Sequence, residues 1–291
     1  MLSDIARLRR FNRAVTREVG ALDHSYLGRG RPLGAARVLQ LVTEAGTDVA
    51  LIRDQLALDS GLMSRLLRSL EEEGLVTTAS DPADRRRRIA RLTPTGAVEN
   101  AAYRDIGHTA AEATLARAGG QTAALLQAMD LIATQLLHDV TEIVDADPDT
   151  PEAQTCLAAY YRLLVDTIPD LSADKLPLPL PDADAYRPPQ GAFLLALSDG
   201  MPVGCVSLRP LADGEAEVKR LWVHPDARGQ GLARRLMAAL ESRARALGYH
   251  RLKLDSNSAL TDAIALYRRM GWADCAPYTS FPADVWMTKP L

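Results

Sequence analysis

The spacing of apolar residues divides the chain into a helical first part and a second part that mixes strands with helices. Between Leu2 and His24 apolar residues recur at intervals of three, four and seven, which predicts an amphipathic helix. Helices are also predicted over residues 34–45, 48–56, 60–73, 93–117 and 122–138. A β-hairpin is predicted over residues 76–79 and 88–92, with a turn at Asp81-Pro82. This order of elements is typical of a helical winged helix-turn-helix domain.

The second part of the chain starts near an acidic, proline-containing joint, Asp145–Pro151. Strands are predicted over residues 141–144, 191–197, 203–210, 215–223, 251–255 and 284–289, and helices over 152–167 and 260–270. We therefore expect two domains, residues 1–139 and 140–291, because the chain is about twice as long as a typical domain.

A glycine loop follows the strand predicted over 215–223. The segment Arg228–Leu236 reads RGQGLARRL, and Gly229 and Gly231 lack the β-carbons that would keep a diphosphate away from the main chain. Arg228, Arg234 and Arg235 add positive charge there. The pattern predicts a pyrophosphate site, although a strand, a turn with two glycines and a helix is common in α/β domains.

Two segments resemble the GNAT N-acetyltransferases. Arg228, Gly231 and Ala233 fit their R/Q-x-x-G-x-G/A loop, and AIALYRRMGW (Ala263–Trp272) is similar to their A-x-x-L-Y-x-x-x-G-F segment. The resemblance implies an α/β domain with a mixed, mostly antiparallel central sheet, acetyl-CoA as acetyl donor, and no metal. One departure is Ala233, where many relatives have glycine.

The resemblance also implies a set of residues around the cofactor. These are Leu221, Trp222, Val223, Arg228, Gly229, Gln230, Gly231, Leu232, Ala233, Arg234, Asn257, Ala263 and Tyr267. For Asn257 an ordinary role as a turn-forming residue is the alternative.

Acetyl transfer needs an unprotonated amine, and for a lysine-like amine deprotonation at pH 7 costs about 4 to 5 kcal/mol. In the GNAT enzymes a glutamate on the strand before the loop often activates a water for this purpose. Glu217 is the matching residue, with a strand-positioning or ammonium-binding role as the alternative. Tyr267 matches the tyrosine that protonates the CoA thiolate, unless it is only a core aromatic. The resemblance also implies an oxyanion donor among the backbone N–H groups of Trp222 to His224, and Val223 is the best single candidate.

The helix predicted over residues 60–73 has short polar and arginine side chains on its free face. Ser60, Ser64, Arg65 and Arg68 lie there, opposite Leu62, Leu66, Leu67 and Leu70. Such a helix after a tight turn suits the DNA major groove, although many surface helices share this pattern.

The hairpin that follows, DPADRRRRIARLTPTG, resembles the wing of the MarR regulators. Their D-x-R-x-x-x-x-x-L-T-x-x-G pattern appears through Asp84, Arg85 or Arg86, Leu92, Thr93 and Gly96. Four arginines in a row, Arg85, Arg86, Arg87 and Arg88, suit a minor groove and its phosphates. The resemblance implies binding to double-stranded operator DNA as a homodimer, through helices 2–22 and 122–138.

Composition changes this interpretation little. The net charge is −3, but the first 138 residues hold 18 arginines and 16 acidic residues, whereas the rest hold 16 basic and 21 acidic residues. Cys156, Cys205 and Cys275 have no metal-site spacing. The sequence shows no signal peptide and no run of 18 apolar residues, so we expect a cytoplasmic protein without membrane contact.

The sequence thus predicts a bifunctional protein, a DNA-binding regulator fused to an acetyl-CoA-dependent N-acetyltransferase that acts on an amine, most simply a small molecule. Two alternatives remain open at this point. The second half could sense acetyl-CoA without turnover, or it could acetylate lysines or N-termini of proteins.

Overall fold

The computed structural model describes residues 2–212 and 214–291, and the chain forms two compact units, residues 1–122 and 123–291. The domain boundary at 139/140 stays a prediction. None of the helices in the described residues is both long enough and apolar enough to cross a membrane.

The first unit is mostly helical. Its elements are α1 (Asp4–Glu18), α2 (Leu33–Leu41), β1 (Thr47–Asp48), α3 (Val49–Gln55), α4 (Ser60–Glu72), β2 (Val76–Ser80), β3 (Arg88–Leu92) and α5 (Pro94–Ala118). Asp59 caps α4 by accepting from the N–H of Leu62 at 2.8 Å, and Thr93 caps α5. Buried side chains of α2, α3, α4 and α5 meet in one core, among them Leu39, Leu67 and Tyr103.

Two helices of this unit end earlier than the apolar pattern predicts. The first ends at Glu18 rather than near His24, because Gly20 takes a φ of +61° and the N–H of Ala21 donates to the Thr16 carbonyl. The second ends at Leu41 rather than near Ala45. The chain after it forms the short strand β1, antiparallel to β3, which periodicity does not predict over two residues.

The second unit contains a seven-stranded sheet with helices on both faces. Its elements are α6 (Thr122–Leu136), β4 (Glu142–Asp145), α7 (Pro151–Thr167), β5 (Ala192–Ser198), β6 (Met201–Pro210), β7 (Glu215–Val223), α8 (Leu232–Ala246), β8 (Arg251–Ser256), α9 (Thr261–Arg269), β9 (Ala273–Asp274) and β10 (Val285–Pro290). The strand order is β4-β5-β6-β7-β8-β10-β9, and among the described residues only β7 and β8 are parallel neighbours. The predicted mixed, mostly antiparallel sheet is confirmed.

Alternation along the strands sends side chains to two separate cores. On one face the sheet packs against α8, with Leu236, Met237 and Leu240 fully buried. On the other face it packs against α7 through Cys156 and Leu157. Polar and charged side chains of β7 and β8 interrupt this second face.

Candidate functional site

The site begins where β7 separates from β8. The two strands pair in parallel from Glu215 and Arg251 to Val218 and Leu254, but β7 continues to Val223 without β8 as a neighbour. The register between β6 and β7 also shifts in this stretch. A gap therefore opens beside the last residues of β7.

The gap exposes one side of the β7 backbone. The N–H of His224 donates to the Val203 carbonyl at 2.9 Å, so residues 203 and 224 form a hydrogen-bonded pair of the antiparallel ladder. Val223, opposite Gly204, then belongs to a non-hydrogen-bonded pair. Its N–H consequently points away from β6 and into the gap, as an oxyanion donor must.

The glycine loop lies directly after β7. Gly229 and Gly231 have φ values of +77° and +78°, which is the left-handed region that glycine adopts without strain. Gly231 is the N-cap of α8 and has no side chain to cap it, so N–H groups of the first turn remain available for an anion.

A cleft of about 530 Å³ runs along this loop and the end of β7. Ten of the predicted cofactor residues line it, namely Leu221, Trp222, Val223, Arg228, Gly229, Gly231, Leu232, Ala233, Arg234 and Ala263. The cleft also includes residues that the sequence did not single out, such as Leu163 and Thr167 of α7 and Leu266 of α9. No local motif marks these three side chains, since only the fold brings α7 to the loop.

Three side chains near the loop contact main-chain groups of the protein. Arg235 donates to the carbonyls of His138 at 3.2 Å and Thr141 at 2.5 Å, so its charge is not directed into the cleft. Gln230 lies 3.5 Å from the carbonyl oxygen of Asp226. Asn257 accepts from the Ala259 N–H at 2.9 Å and donates to the Pro282 carbonyl at 2.5 Å, which is the turn-forming role. Cofactor contacts by Gln230 and Asn257 stay predictions.

Tyr267 lies on α9, one residue beyond the cleft-lining Leu266, and is only 7% exposed. Burial raises the pKa of its phenol, and the negative charge of Asp255 adds to the shift. The hydroxyl is therefore protonated at neutral pH and able to act as a proton donor.

Glu217 is completely buried on β7. One carboxylate oxygen accepts from Arg209 Nε at 2.6 Å, and the other lies 3.0 Å from Lys219 Nζ. Lys219 in turn binds Asp255 at 2.6 Å. The carboxylate is thus held between two cations and away from solvent, which is the arrangement of a positioning residue more than of a free base.

Sequence reasoning missed Asp255 and Tyr160. Asp255 is the carboxylate whose charge acts on Tyr267, and it stands at the end of β8 beside the gap. Tyr160 is on α7, where burial raises the pKa of its hydroxyl and the charges of Tyr267, Arg220 and Asp255 also act on it. The sequence does offer a signal for Asp255, because it is an acidic residue two positions before Asn257. It offers no signal for Tyr160.

The site fits a thioester cofactor with a diphosphate. The uncapped N-terminus of α8 and the two left-handed glycines can hold the phosphates, and the gap beside β7 can hold a narrow arm that ends at Val223. Among the described residues, no group of three or more histidine, cysteine or acidic side chains is placed to bind a metal ion.

A second site lies in the first unit, between α4 and the hairpin of β2 and β3. All eight predicted DNA-binding residues, Ser60, Ser64, Arg65, Arg68, Arg85, Arg86, Arg87 and Arg88, are exposed. On the opposite face of α4 the fully buried residues are Met63, Leu67 and Leu70, while Leu62 and Leu66 are half-buried. A groove of about 220 Å³ joins Ser60 and Ser64 to Arg86, Arg87 and Arg88.

The four arginines of the hairpin are not equivalent. Arg87 binds Asp48 at 2.7 Å, and Arg88 binds the Thr78 hydroxyl at 2.6 Å. Within the described part of the chain, Arg85 and Arg86 form no ion pair. Arg87 and Arg88 therefore brace the hairpin, and Arg85 and Arg86 are the charges most available to phosphates.

Comparisons with known proteins match both units. A model of the acetyltransferase (GNAT) family matches residues 157–272, and a model of the MarR family matches residues 29–87. A protein named IAA acetyltransferase from Azospirillum brasilense is 38% identical over 114 residues, which are 38% of this chain and 74% of that protein. An uncharacterized N-acetyltransferase of Escherichia coli is 30% identical over 122 residues, 40% of this chain and 70% of that protein.

Solved structures of acetyltransferases are also similar to about half of the chain. An acetyltransferase from Streptococcus agalactiae superposes with a TM-score of 0.45 and 22% identity, over 52% of this chain and 98% of that one.

Proposed function

Because this chain belongs to the GNAT acetyltransferase family and carries a MarR-family region before its N-acetyltransferase domain, we propose that it transfers the acetyl group of acetyl-CoA to a small-molecule amine and regulates transcription by binding operator DNA. The observation that carries the enzymatic part is the cleft itself. Its lining includes the uncapped N-terminus of α8, Val223 at the end of β7, and Leu266, the residue before Tyr267 in α9.

Acetyl-CoA, when bound, supplies an activated acetyl thioester. N–H groups of residues 229–233 hold its diphosphate, with Arg228 and Arg234 beside it. Arg228 Nε donates to the Val223 carbonyl at 3.2 Å, so its side chain also fixes the end of β7. Asn257 and Ala263 border the pantetheine arm.

Val223 donates its N–H to the oxyanion that forms when the amine attacks. Such donors contribute about 100- to 1,000-fold in rate. Tyr267 gives its proton to the sulfur as the C–S bond breaks, since burial raises the pKa of the phenol and keeps the hydroxyl protonated until then. The amine proton leaves through water on the side of Asp255, and Glu217 fixes the cations around that path.

The first unit binds double-stranded DNA, with α4 in the major groove and the arginine hairpin against the adjacent minor groove. The protein acts as a homodimer. Support comes from apolar side chains on the two helices expected at a dimer interface, since Ile5 and Leu8 of α1 are 66% and 59% exposed and Met129 of α6 is 44% exposed.

The two activities are coupled through α6. Gln135 near its C-terminus donates to the carbonyl of Asp226 at 2.8 Å, directly before the glycine loop. Arg235 in the first turn of α8 binds carbonyls of the segment that follows α6. A ligand that moves the loop therefore moves the end of α6, which continues in sequence from the DNA-binding unit.

The test is to mix the protein with acetyl-CoA and a panel of amines while measuring the release of free thiol. We expect turnover with at least one small amine, and Tyr267→Phe should lower kcat by about 100-fold while acetyl-CoA affinity stays unchanged. Unchanged turnover of Tyr267→Phe would refute the role of Tyr267.

The same experiment separates the alternatives. Acetyl-CoA binding measured by calorimetry, with no thiol release from any amine or peptide, would favour a sensor. Thiol release with lysine peptides alone would favour a protein acetyltransferase. Trp272→Phe, in the same core cluster as Tyr267, serves as a control for packing.

A further inference from the structure

Arg220 occupies an unusual position in β7. It lies where the register between β6 and β7 shifts, and its φ of +57° is a left-handed conformation rarely adopted by residues other than glycine. Its side chain is only 13% exposed. A strained, buried arginine is retained only where its surroundings determine its place, and such residues cluster at functional sites.

The guanidinium is held rigidly but is poorly neutralised. Its Nε donates to the Tyr161 hydroxyl at 3.3 Å, and its centre lies 4.4 Å above the Tyr186 ring. The nearest carboxylate oxygen in its ion pair, on Asp182, is 3.8 Å away, and Arg209 is nearer to that carboxylate at 3.3 Å. Nη1 is shielded from solvent and has no hydrogen-bond partner among the described residues.

The surrounding charges leave a cation in excess. The ion pairs of this face contain the cations Arg209, Lys219, Arg220, Arg251 and Lys253 and the acids Asp182, Glu215, Glu217 and Asp255. Asp182, Glu215 and Glu217 are each shared by two cations. Of these five cations, Arg220 lies farthest from an acidic oxygen, at 3.8 Å. A further anion would therefore be bound most favourably at Arg220.

Arg220 also lies within reach of the reacting groups. It precedes Val223 by three residues on the same strand, roughly 10 Å at the rise of a β-strand. The residue before it, Lys219, binds Asp255 at 2.6 Å, and the residue after it, Leu221, lines the cleft. The Arg220 side chain keeps 13% of its surface exposed.

We propose that the acceptor is an amine that also carries a carboxylate, and that Arg220 binds this carboxylate. The proposal rests on the acetyltransferase function proposed above and narrows its substrate class. A planar guanidinium with an unused N–H group can bind a carboxylate through paired, charge-assisted hydrogen bonds. Binding at Arg220 leaves the amine of a small amino acid to approach the end of β7.

The experiment compares amino acids with their carboxamides, which lack this charge, as acceptors for the wild type and Arg220→Gln, with every kcat/KM expressed per unprotonated amine because the amine pKa of the two acceptors differs. In the wild type we expect the amino acid to have the higher kcat/KM. Arg220→Gln should lower kcat/KM for the amino acid by about 10- to 100-fold, mostly through KM, and change the value for the carboxamide by less than about threefold.

Arg243→Gln is the matched control. It removes the same charge from α8, where Arg243 is paired with Asp145 on the surface. Both acceptors should react with it as with the wild type. Equal losses for amino acid and carboxamide in Arg220→Gln, or a wild type that prefers the carboxamide, would overturn the proposal.

Arg220→Lys covers the case in which Arg220→Gln does not fold, because it keeps the charge but loses the planar donors. Calorimetric titration of amino acids and carboxamides into the protein saturated with CoA gives a second readout that needs no turnover. Amino acids should bind at least about tenfold more weakly to Arg220→Lys than to the wild type. Absence of thiol release with every amine refutes the proposed enzyme, whereas turnover without dependence on Arg220 refutes only the carboxylate site.

Discussion

Glu217 shows how burial changes the meaning of a side chain that motif and strand position mark as a base. Its carboxylate has no exposure to solvent and lies between Arg209 and Lys219. Removing one member of a buried ion pair leaves the other charge without compensation, which costs about 3 to 5 kcal/mol. We therefore propose that Glu217 positions Arg209 and Lys219.

For Glu217→Gln we expect the free energy of unfolding to fall by about 3 kcal/mol, while the folded enzyme keeps the acid limb of its pH–rate profile. Denaturant unfolding and steady-state rates between pH 5 and 9 measure the two effects. Glu215→Gln is the control, since it changes the same residue type on the same strand at a partly exposed pair. Loss of the acid limb with unchanged stability would instead identify Glu217 as the base.

The hairpin of β2 and β3 is the element in which local sequence and function coincide most closely. The sequence places both strands within one residue of their observed ends, because an arginine-rich turn and period-two alternation are local signals. The sequence does not show that Arg87 and Arg88 are bound to other side chains of the first unit. That difference depends on Asp48, about 40 residues away in the chain, and on Thr78 across the ladder.

The double variant Arg85→Gln/Arg86→Gln should therefore bind DNA more weakly whatever the sequence of the duplex. Each phosphate contact contributes about 0.9 to the slope of log affinity against log salt concentration, so the slope should decrease by nearly 2. Titrations of one mixed-sequence duplex at several salt concentrations measure it. Arg117→Gln, paired with Glu18 at the end of α5, should leave the slope unchanged. An unchanged slope in the double variant would exclude Arg85 and Arg86 from phosphate binding.

At the scale of the whole molecule, α6 is the element that links the regulator and the enzyme in one chain. Its sequence predicts an interface helix, and its C-terminal end contacts the glycine loop through Gln135. An allosteric coupling of 1 to 3 kcal/mol is a common magnitude and corresponds to about 5- to 150-fold in affinity.

We accordingly expect acetyl-CoA to change the affinity for a duplex selected by the protein by at least about fivefold. Gln135→Ala should bring the ratio of DNA affinities with and without acetyl-CoA closer to one. It should weaken acetyl-CoA binding by no more than about twofold. Gln127→Ala, on an exposed position of the same helix, should behave as the wild type. If the wild type binds the duplex equally well with and without acetyl-CoA, the coupling is absent.

The sequence by itself determined the two families, the order of elements, the glycine loop and the arginine hairpin. These features depend on contacts between residues close in the chain, which periodicity and motifs record. Only the tertiary structure decided that Arg235 turns away from the cleft, that Glu217 is enclosed by two cations, and that Nη1 of Arg220 is buried without a hydrogen-bond partner among the described residues. Burial and charge pairing depend on which strands and helices become neighbours, and no local pattern specifies that.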